Sequence, residues 1–312
     1  MKKIITIIFL ILLLCSCGEK PFEQTDEICI VYTNDVASAI DGEIGYAGVK
    51  GFKDTMSQEY RYVALVDAGD YYDGELSRVN GARDICDLMN AVGYDVVTLG
   101  NQEFSIGLDA LSANLSESDF DTVSCNLKYN KTFNNPLKRV EPYVIKNFGV
   151  TKIAFVGVTT PETLIPNKPA HDAIFKDGKF LYSFYEGNDG QDLYKQVQKN
   201  VDKVRKKVDY VIVLAHLGSN SVTEGFSSYD LIHNTTGIDV VIDGHSHTVI
   251  SGEGVENKEG QMVVLTSTGQ KIENVGQLMI HTDHTYTTVL YPVVDYKDAF
   301  VQDMVNSILS RW

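Results

Sequence analysis

The chain has 312 residues, 44% of them hydrophobic and 22% charged, with a formal net charge of -15. That length suits one large domain or two ordinary ones, and the composition excludes a disordered or fibrous protein. The negative balance argues against nucleic-acid binding, because a polyanion would be repelled. A phosphate-bearing substrate would need cations in its site to overcome the same repulsion.

The N-terminus reads as a targeting segment. Lys2 and Lys3 precede an apolar core from Ile4 to Leu14, which is too short to span a bilayer as a mature helix. It ends in Leu14-Cys15-Ser16-Cys17-Gly18, which looks like a bacterial lipobox. Residues 1–16 would then be a lipoprotein signal peptide, and Cys17 would carry the lipid; the alternative is a plain secretory signal. The expected location is exported and lipid-anchored to a membrane, as a periplasmic or cell-surface lipoprotein. Residues 17–26 are polar and read as a tether, leaving one domain over 27–312. Cys29, Cys86 and Cys125 are scattered and odd in number, so they read as buried small hydrophobes rather than a disulfide framework.

A strand pattern then recurs. Ile28 to Tyr32 runs into Thr33-Asn34-Asp35, and Tyr62 to Val66 into Asp67-Ala68-Gly69-Asp70. Asp95 to Leu99 runs into Gly100-Asn101-Gln102-Glu103, and Asp209 to Leu214 into Ala215-His216. Val240 to Ile242 runs into Asp243-Gly244-His245-Ser246-His247. Continuous apolar runs are strands buried on both faces of an α/β protein, whose ligands collect beyond the carboxyl ends of the strands. Between them the spacing predicts helices over 80–91, 108–115 and 191–208, and further strands at 121–124 and 152–158. The turn from Gly157 to Glu162 opens toward the same end of the sheet. Residues 167–189 read as a long surface excursion, and three alternating strands are expected between Met262 and Tyr291.

Five strand ends thus deliver Asp35, Asp70, Asn101, His216, His245 and His247. If the segment after Gly244 stays extended, the rings of His245 and His247 share one side. Two loop histidines without a ligand would be the bland reading of that pair. The full set has no thiolate, which excludes cysteine-type structural zinc, and its carboxylate, amide and imidazole groups suit Mn, Zn, Co, Fe or Mg. Six such groups exceed what one ion usually takes, so one or two divalent metal ions are expected. Two would stand about 3.5–4 Å apart across a bridging carboxylate, where they neutralise charge on phosphoryl oxygens.

Together these motifs resemble the metallophosphatase (calcineurin-like phosphoesterase) domain of the bacterial 5′-nucleotidase family. The carriers are Tyr32-Thr33-Asn34-Asp35, Asp67-Ala68-Gly69-Asp70, Asn90 to Asp95, Gly100-Asn101-Gln102-Glu103-Phe104, His216-Leu217-Gly218 and Gly237-Ile238-Asp239 through His247. The resemblance covers about Ile28 to Tyr291. It implies a β-sandwich flanked by helices in α/β/β/α layers. It also implies that Asp70 bridges two metals, that Asn101, His216 and His245 complete one site, and that Asp35 and His247 belong to the other. The implied activity is hydrolysis of nucleotides or other phosphate monoesters.

Two positions depart from the pattern. The first motif usually reads Asp-x-His, but here it is Asp35-Val36-Ala37, and Ala37 cannot ligate. The third usually reads Gly-Asn-His-Glu, but here Gln102 replaces the histidine that stabilises the transition state. Gln102 donates hydrogen bonds but is no general acid near neutral pH. The alternative expectation is therefore a catalytically degenerate metal- or ligand-binding lipoprotein of the same fold. Full nucleotidases of this family carry a second domain whose aromatics stack on the base. The chain ends at Trp312 without it, so a separate subunit carrying that domain is an expected partner, beside substrate and membrane.

Overall fold

The computed structural model describes residues 25–311. The signal peptide, Cys17 and the tether as far as residue 24 lie outside the described residues. The chain begins as a βα series: β1 (Thr25–Thr33), α1 (Gly45–Glu59), β2 (Tyr60–Asp67), α2 (Glu75–Val79), α3 (Arg83–Val92), β3 (Val96–Thr98), α4 (Gln102–Ser105), α5 (Leu108–Glu117) and β4 (Asp121–Val123). Past β5 (Leu127–Tyr129) and β6 (Val140–Glu141) it enters a second sheet through β7 (Tyr143–Phe148) and β8 (Thr151–Thr159). A short insertion follows: α6 (Pro169–Ile174), β9 (Phe175–Lys176), β10 (Lys179–Phe180) and β11 (Tyr182–Phe184). The second sheet then continues through α7 (Gln191–Arg205), β12 (Tyr210–His216), α8 (Ser228–Asn234), β13 (Val240–Asp243), β14 (Val249–Glu256) and β15 (Met262–Thr268). Finally β16 (Val275–Ile280) and β17 (Tyr286–Tyr291) rejoin the first sheet, and α9 (Ala299–Leu309) closes the domain.

The first sheet has the order β17-β16-β1-β2-β3-β4-β6 and the second β14-β15-β13-β12-β8-β7. In the first, β1 pairs parallel with β2, β2 with β3, and β3 with β4. In the second, β12 pairs parallel with both β8 and β13, and β13 with β15. Antiparallel strands cover three of the four edges, with β17 beyond β16, β14 beside β15 and β7 beside β8, while β6 pairs parallel with β4.

Side-chain parity explains why the sheets stack. Along β1, Ile28, Ile30 and Tyr32 join one buried cluster while Cys29 and Val31 join another. Along β12, Tyr210, Ile212 and Leu214 enter the same shared cluster, while Val211, Val213 and Ala215 point the other way. Successive residues of a strand face opposite sides, so the shared cluster is the layer between the sheets. The outer clusters pack under α1, α3, α5 and α9 on one side and under α7 and α8 on the other. The layers are therefore α/β/β/α, as the resemblance implied. The central strands β12 and β13 are buried at every position because both of their faces are covered.

Several expectations need correction. The helix placed at 80–91 runs from Arg83 to Val92, with Gly93 as a left-handed cap, and the helix placed at 191–208 stops at Arg205. Residues 167–189 are not a bare surface excursion. They form α6 and the three short strands β9–β11, bury Ala170, Ile174, Tyr182 and Phe184, and pair β11 with β5. The helix α1 had no clear sequence signal, since Gly45, Gly48 and Gly51 depress helix propensity. Gly51 is there for close approach: a Cβ on it would stand 2.2 Å from the Tyr296 carbonyl oxygen. The two histidines after Gly244 are not on an extended segment. His245 and His247 have φ of 81° and 55°, so the chain coils back over the end of the sheet.

Candidate metal centre

Because β1, β2 and β3 are parallel in one sheet, and β12 and β13 in the other, their carboxyl ends meet at one edge of the sandwich. His216 is the last residue of β12, and Asp35, Asp70, Asn101 and His245 stand two or three residues beyond their strands. One ligand atom each of Asp70, His216 and His245 lies within 4.8 Å of the others. His216 Nε2 is 3.1 Å from Asp70 Oδ2 and 4.0 Å from Asp35 Oδ1. His247, about half exposed at 48%, brings Nε2 to 3.6 Å from Asp35 Oδ1. Five of the six side chains therefore gather in one place, a three-residue core with Asp35 and His247 paired beside it, and Asn101 follows Gly100, whose own backbone packs against Asp70 and His216.

The local backbone shows what it takes to aim these groups. Asp35, Asp70, His245 and His247 all have positive φ, a conformation that costs a non-glycine residue about 1 kcal/mol or more. Hydrogen bonds hold it in place. Asp35 N–H donates to Gly69 O at 2.9 Å, and His245 N–H donates to the Asp35 carboxylate at 2.9 Å. Asn34 Nδ2 reaches Asp35 Oδ2 at 2.8 Å, while its own carbonyl accepts from Thr268 N. The buried Glu103 carboxylate collects the N–H groups of Asp70 at 3.0 Å, Tyr72 at 2.9 Å and Gly100 at 2.6 Å. Gly100 must be glycine, for a Cβ would lie 2.2 Å from Asp70 Oδ1 and 2.8 Å from His216 Nε2.

The electrostatics call for positive charge. Burial raises the Asp35 pKa, and the nearby Asp70 carboxylate adds to the effect. Burial would raise Asp70 too, but His216 outweighs it and holds that carboxyl below its ordinary value. Burial pushes Glu103 up to about 7, with Asp70 reinforcing it. Burial alone would lower His216, yet the Asp70 and Asp35 carboxylates overcome it and push the imidazole up to about 10. A proton on His216 is one way to balance these carboxylates, and a divalent cation is another.

The donor set fits the cation. His216 Nδ1 lies 2.7 Å from the Ala68 carbonyl oxygen, which can only accept, so one ring proton sits there, and a cation that displaces the second proton finds the lone pair on Nε2. Despite its proximity to Asp70, Nε2 lacks hydrogen-bond geometry. Among the described residues, it and Asn101 Oδ1 are buried polar atoms with no hydrogen-bond partner. An orphaned imidazole nitrogen beside the buried Asp70 carboxylate, with a second orphan on Asn101 at the neighbouring strand end, is what a metal site presents before its ion is counted.

Ala37 and Gln102 flank this core. Ala37 N–H donates to Asp70 O at 3.0 Å, and Gln102 N–H donates to Asp70 Oδ1 at 2.8 Å. One residue was missed in the sequence. Glu162 Oε2 lies 3.0 Å from His245 Nε2. Its only signal was the turn after β8, which opens toward the same end.

A sandwich of this layering, with carboxylates, an amide and imidazoles at converging strand ends, has the architecture of a metallophosphoesterase domain. Residues 30–249 match the calcineurin-like phosphoesterase family, and the chain belongs to it. The chain is 28% identical over 279 residues to the trifunctional nucleotide phosphoesterase protein YfkN of Bacillus subtilis, covering 79% of this chain and 17% of that protein. It is 29% identical to the 5′-nucleotidase of Bos taurus, covering 81% of this chain and 44% of the relative. It thus spans less than half the length of these curated relatives. Among solved structures, a 5′-nucleotidase precursor from Thermus thermophilus superposes with a TM-score of 0.76 at 21% identity, covering 91% of this chain and 59% of that one. Calcineurin-like phosphoesterases use divalent metals.

Proposed function

We propose that this chain is a metal-dependent phosphoesterase of the 5′-nucleotidase type, hydrolysing nucleotides or other phosphate monoesters. The observation that carries this is the convergence of Asp70, His216 and His245, together with two buried atoms that have no partner among the described residues, His216 Nε2 and Asn101 Oδ1. Asp70, Asn101, His216 and His245 would hold one divalent ion. Asp35 and His247, sharing Asp70, would hold a second more weakly, since Ala37 adds no ligand. Such an ion, when bound, neutralises charge on the phosphoryl oxygens. Gln102 would donate a hydrogen bond to the same oxygens, without moving a proton.

The relatives named 5′-nucleotidase and nucleotide phosphoesterase support the substrate class. Supply of base-stacking residues by a separate subunit belongs to the same proposal. So does anchoring at a membrane through Cys17, supported by the lipobox-like Leu14 to Gly18. Cys17→Ser should move the protein from the membrane fraction to the soluble fraction, and retention on the membrane would refute the anchor.

Ala37 and Gln102 favour a second reading, a metal- or ligand-binding lipoprotein without turnover. Metal analysis of the purified protein separates the two when combined with assays on nucleotides and an aryl phosphate under added Mn, Co, Zn and Mg. The phosphoesterase reading expects bound metal and metal-dependent release of phosphate. Bound metal with no turnover on any substrate leaves the second reading, and a folded protein that binds no metal sinks both.

A further inference from the structure

We infer that Glu162 is a positioning residue that fixes the orientation and tautomer of His245 and ties the loop after β12 to the metal centre. The inference rests on the proposed metal site. The carboxylate is buried, with Oε2 at 3.0 Å from His245 Nε2 and Oε1 accepting from Thr223 N at 2.8 Å. A carboxylate between two such contacts acts as acceptor, so His245 carries its ring proton on Nε2. The lone pair left for an ion is then on Nδ1.

His216 is held the other way round, with Nδ1 donating to the Ala68 carbonyl and its lone pair on Nε2. The two rings stand with centroids 5.1 Å apart and planes 61° to one another. Each imidazole thus has its own partner, a main-chain carbonyl for one and a side-chain carboxylate for the other. The difference follows from where they sit. His216 is still on its strand, beside the backbone of the other sheet. His245 has left its strand at Gly244 with φ of 81°, beyond reach of the strand's own ladder.

Glu162 is well placed to serve two masters. It lies in the 3-10 turn Pro161–Leu164, just past β8, where Thr160 Oγ1 accepts its N–H at 3.2 Å. Its other oxygen grips the loop that connects β12 to α8. That loop also meets the histidine segment through Ser219, whose N–H donates to Ser246 Oγ at 3.1 Å and whose hydroxyl reaches Thr248 Oγ1 at 3.1 Å. Val222, 87% exposed, sits in the same loop beside Thr223. Movement of this loop is therefore coupled to the aim of His245.

The test uses the full-length protein and two variants, Glu162→Ala and Glu162→Gln. Titration with Mn²⁺ or Zn²⁺ should show Glu162→Ala binding about 10–100-fold more weakly, the usual effect of losing a partner behind a ligating histidine. Glu162→Gln, which keeps an acceptor for Nε2–H, should recover most of that loss. ¹⁵N NMR of the histidine rings, read without metal, should find His245 as the Nε2–H tautomer in wild type and Glu162→Gln, and as a mixture in Glu162→Ala. Hydrogen exchange over β12 and β13 checks that both variants are folded, and exchange over 218–225 should accelerate in both, because a single amide oxygen that serves His245 leaves the Thr223 N–H without its acceptor. An unchanged His245 tautomer in a folded Glu162→Ala overturns the inference. So does a Glu162→Gln that loses as much affinity as Glu162→Ala, which would make Glu162 a ligand itself. A wild type that binds no ion sinks the metal reading, while the metal-free tautomer measurement still judges Glu162.

Discussion

Asp70 is gripped from both sides by the two residues that depart from the family pattern. Ala37 donates its N–H to the Asp70 carbonyl, and Gln102 donates its N–H to the Asp70 carboxylate. Both residues donate through backbone N–H groups, so neither contact depends on the side chain at position 37 or 102. Ala37 has φ of 48°, a conformation in which histidine is among the better tolerated side chains. Ala37→His with Gln102→His should therefore seat without rebuilding the loop. We expect kcat/KM on an aryl phosphate to rise about 10²-fold or more, the range of one general acid or base. A double variant with bound metal and unchanged activity would show that these positions do not limit the reaction. At this scale the six strand-end side chains were legible, because each follows an apolar run by a fixed short distance. Glu162 was not, since a residue in a 3-10 turn has no period to mark it and only tertiary contact brings it to His245. The left-handed backbone at Asp35, Asp70, His245 and His247 was equally invisible, which is why an extended His-x-His pair was the natural but mistaken expectation.

Elements set the angles at which these residues arrive. The loop after His216 is stopped by α8, whose start is a reciprocal capping box: Ser227 Oγ accepts from Asp230 N, and Asp230 Oδ2 accepts from Ser227 N. Beneath it, the buried Asp243 carboxylate accepts from Leu217 N at 3.3 Å and Gly218 N at 3.1 Å. The cap thus fixes where the loop touching Glu162 must end. Ser227→Ala should cost about 1 kcal/mol, read as a lower urea midpoint with the slope unchanged. An unchanged midpoint would mean that the helix start is held by packing alone. Strands were the easiest elements to read, because burial on both faces makes them continuously apolar. The insertion β9–β11 was harder, for its strands are two or three residues long and find partners such as β5 far along the chain.

The whole molecule is two sheets back to back with helices outside, and its three buried cysteines report on that closure. Cys29 faces the helical layer under α1, and Cys125 lies in the cluster under α7. Burial pushes both thiols up to about 12. At pH 8 their thiolate fraction would then be roughly 10⁻⁴, so a thiol reagent should leave them intact until denaturant opens the fold. Fast labelling of either in the native protein would contradict the packing. Because these pKa values are raised in the folded state, the associated stability is complete below about pH 9 and falls as pH climbs toward 12. The layered architecture was legible only through family resemblance. The strand runs themselves indicated a buried sheet, but not that the ends of two sheets share one site.

Metal content per chain tests the central claim most directly, with wild type compared against His216→Ala after loading with Mn²⁺ or Zn²⁺ and desalting. The account predicts at least one ion retained by wild type and lost in the variant, because His216 Nε2 sits at the heart of the buried donor set. A folded wild type that retains no more metal than His216→Ala would contradict it.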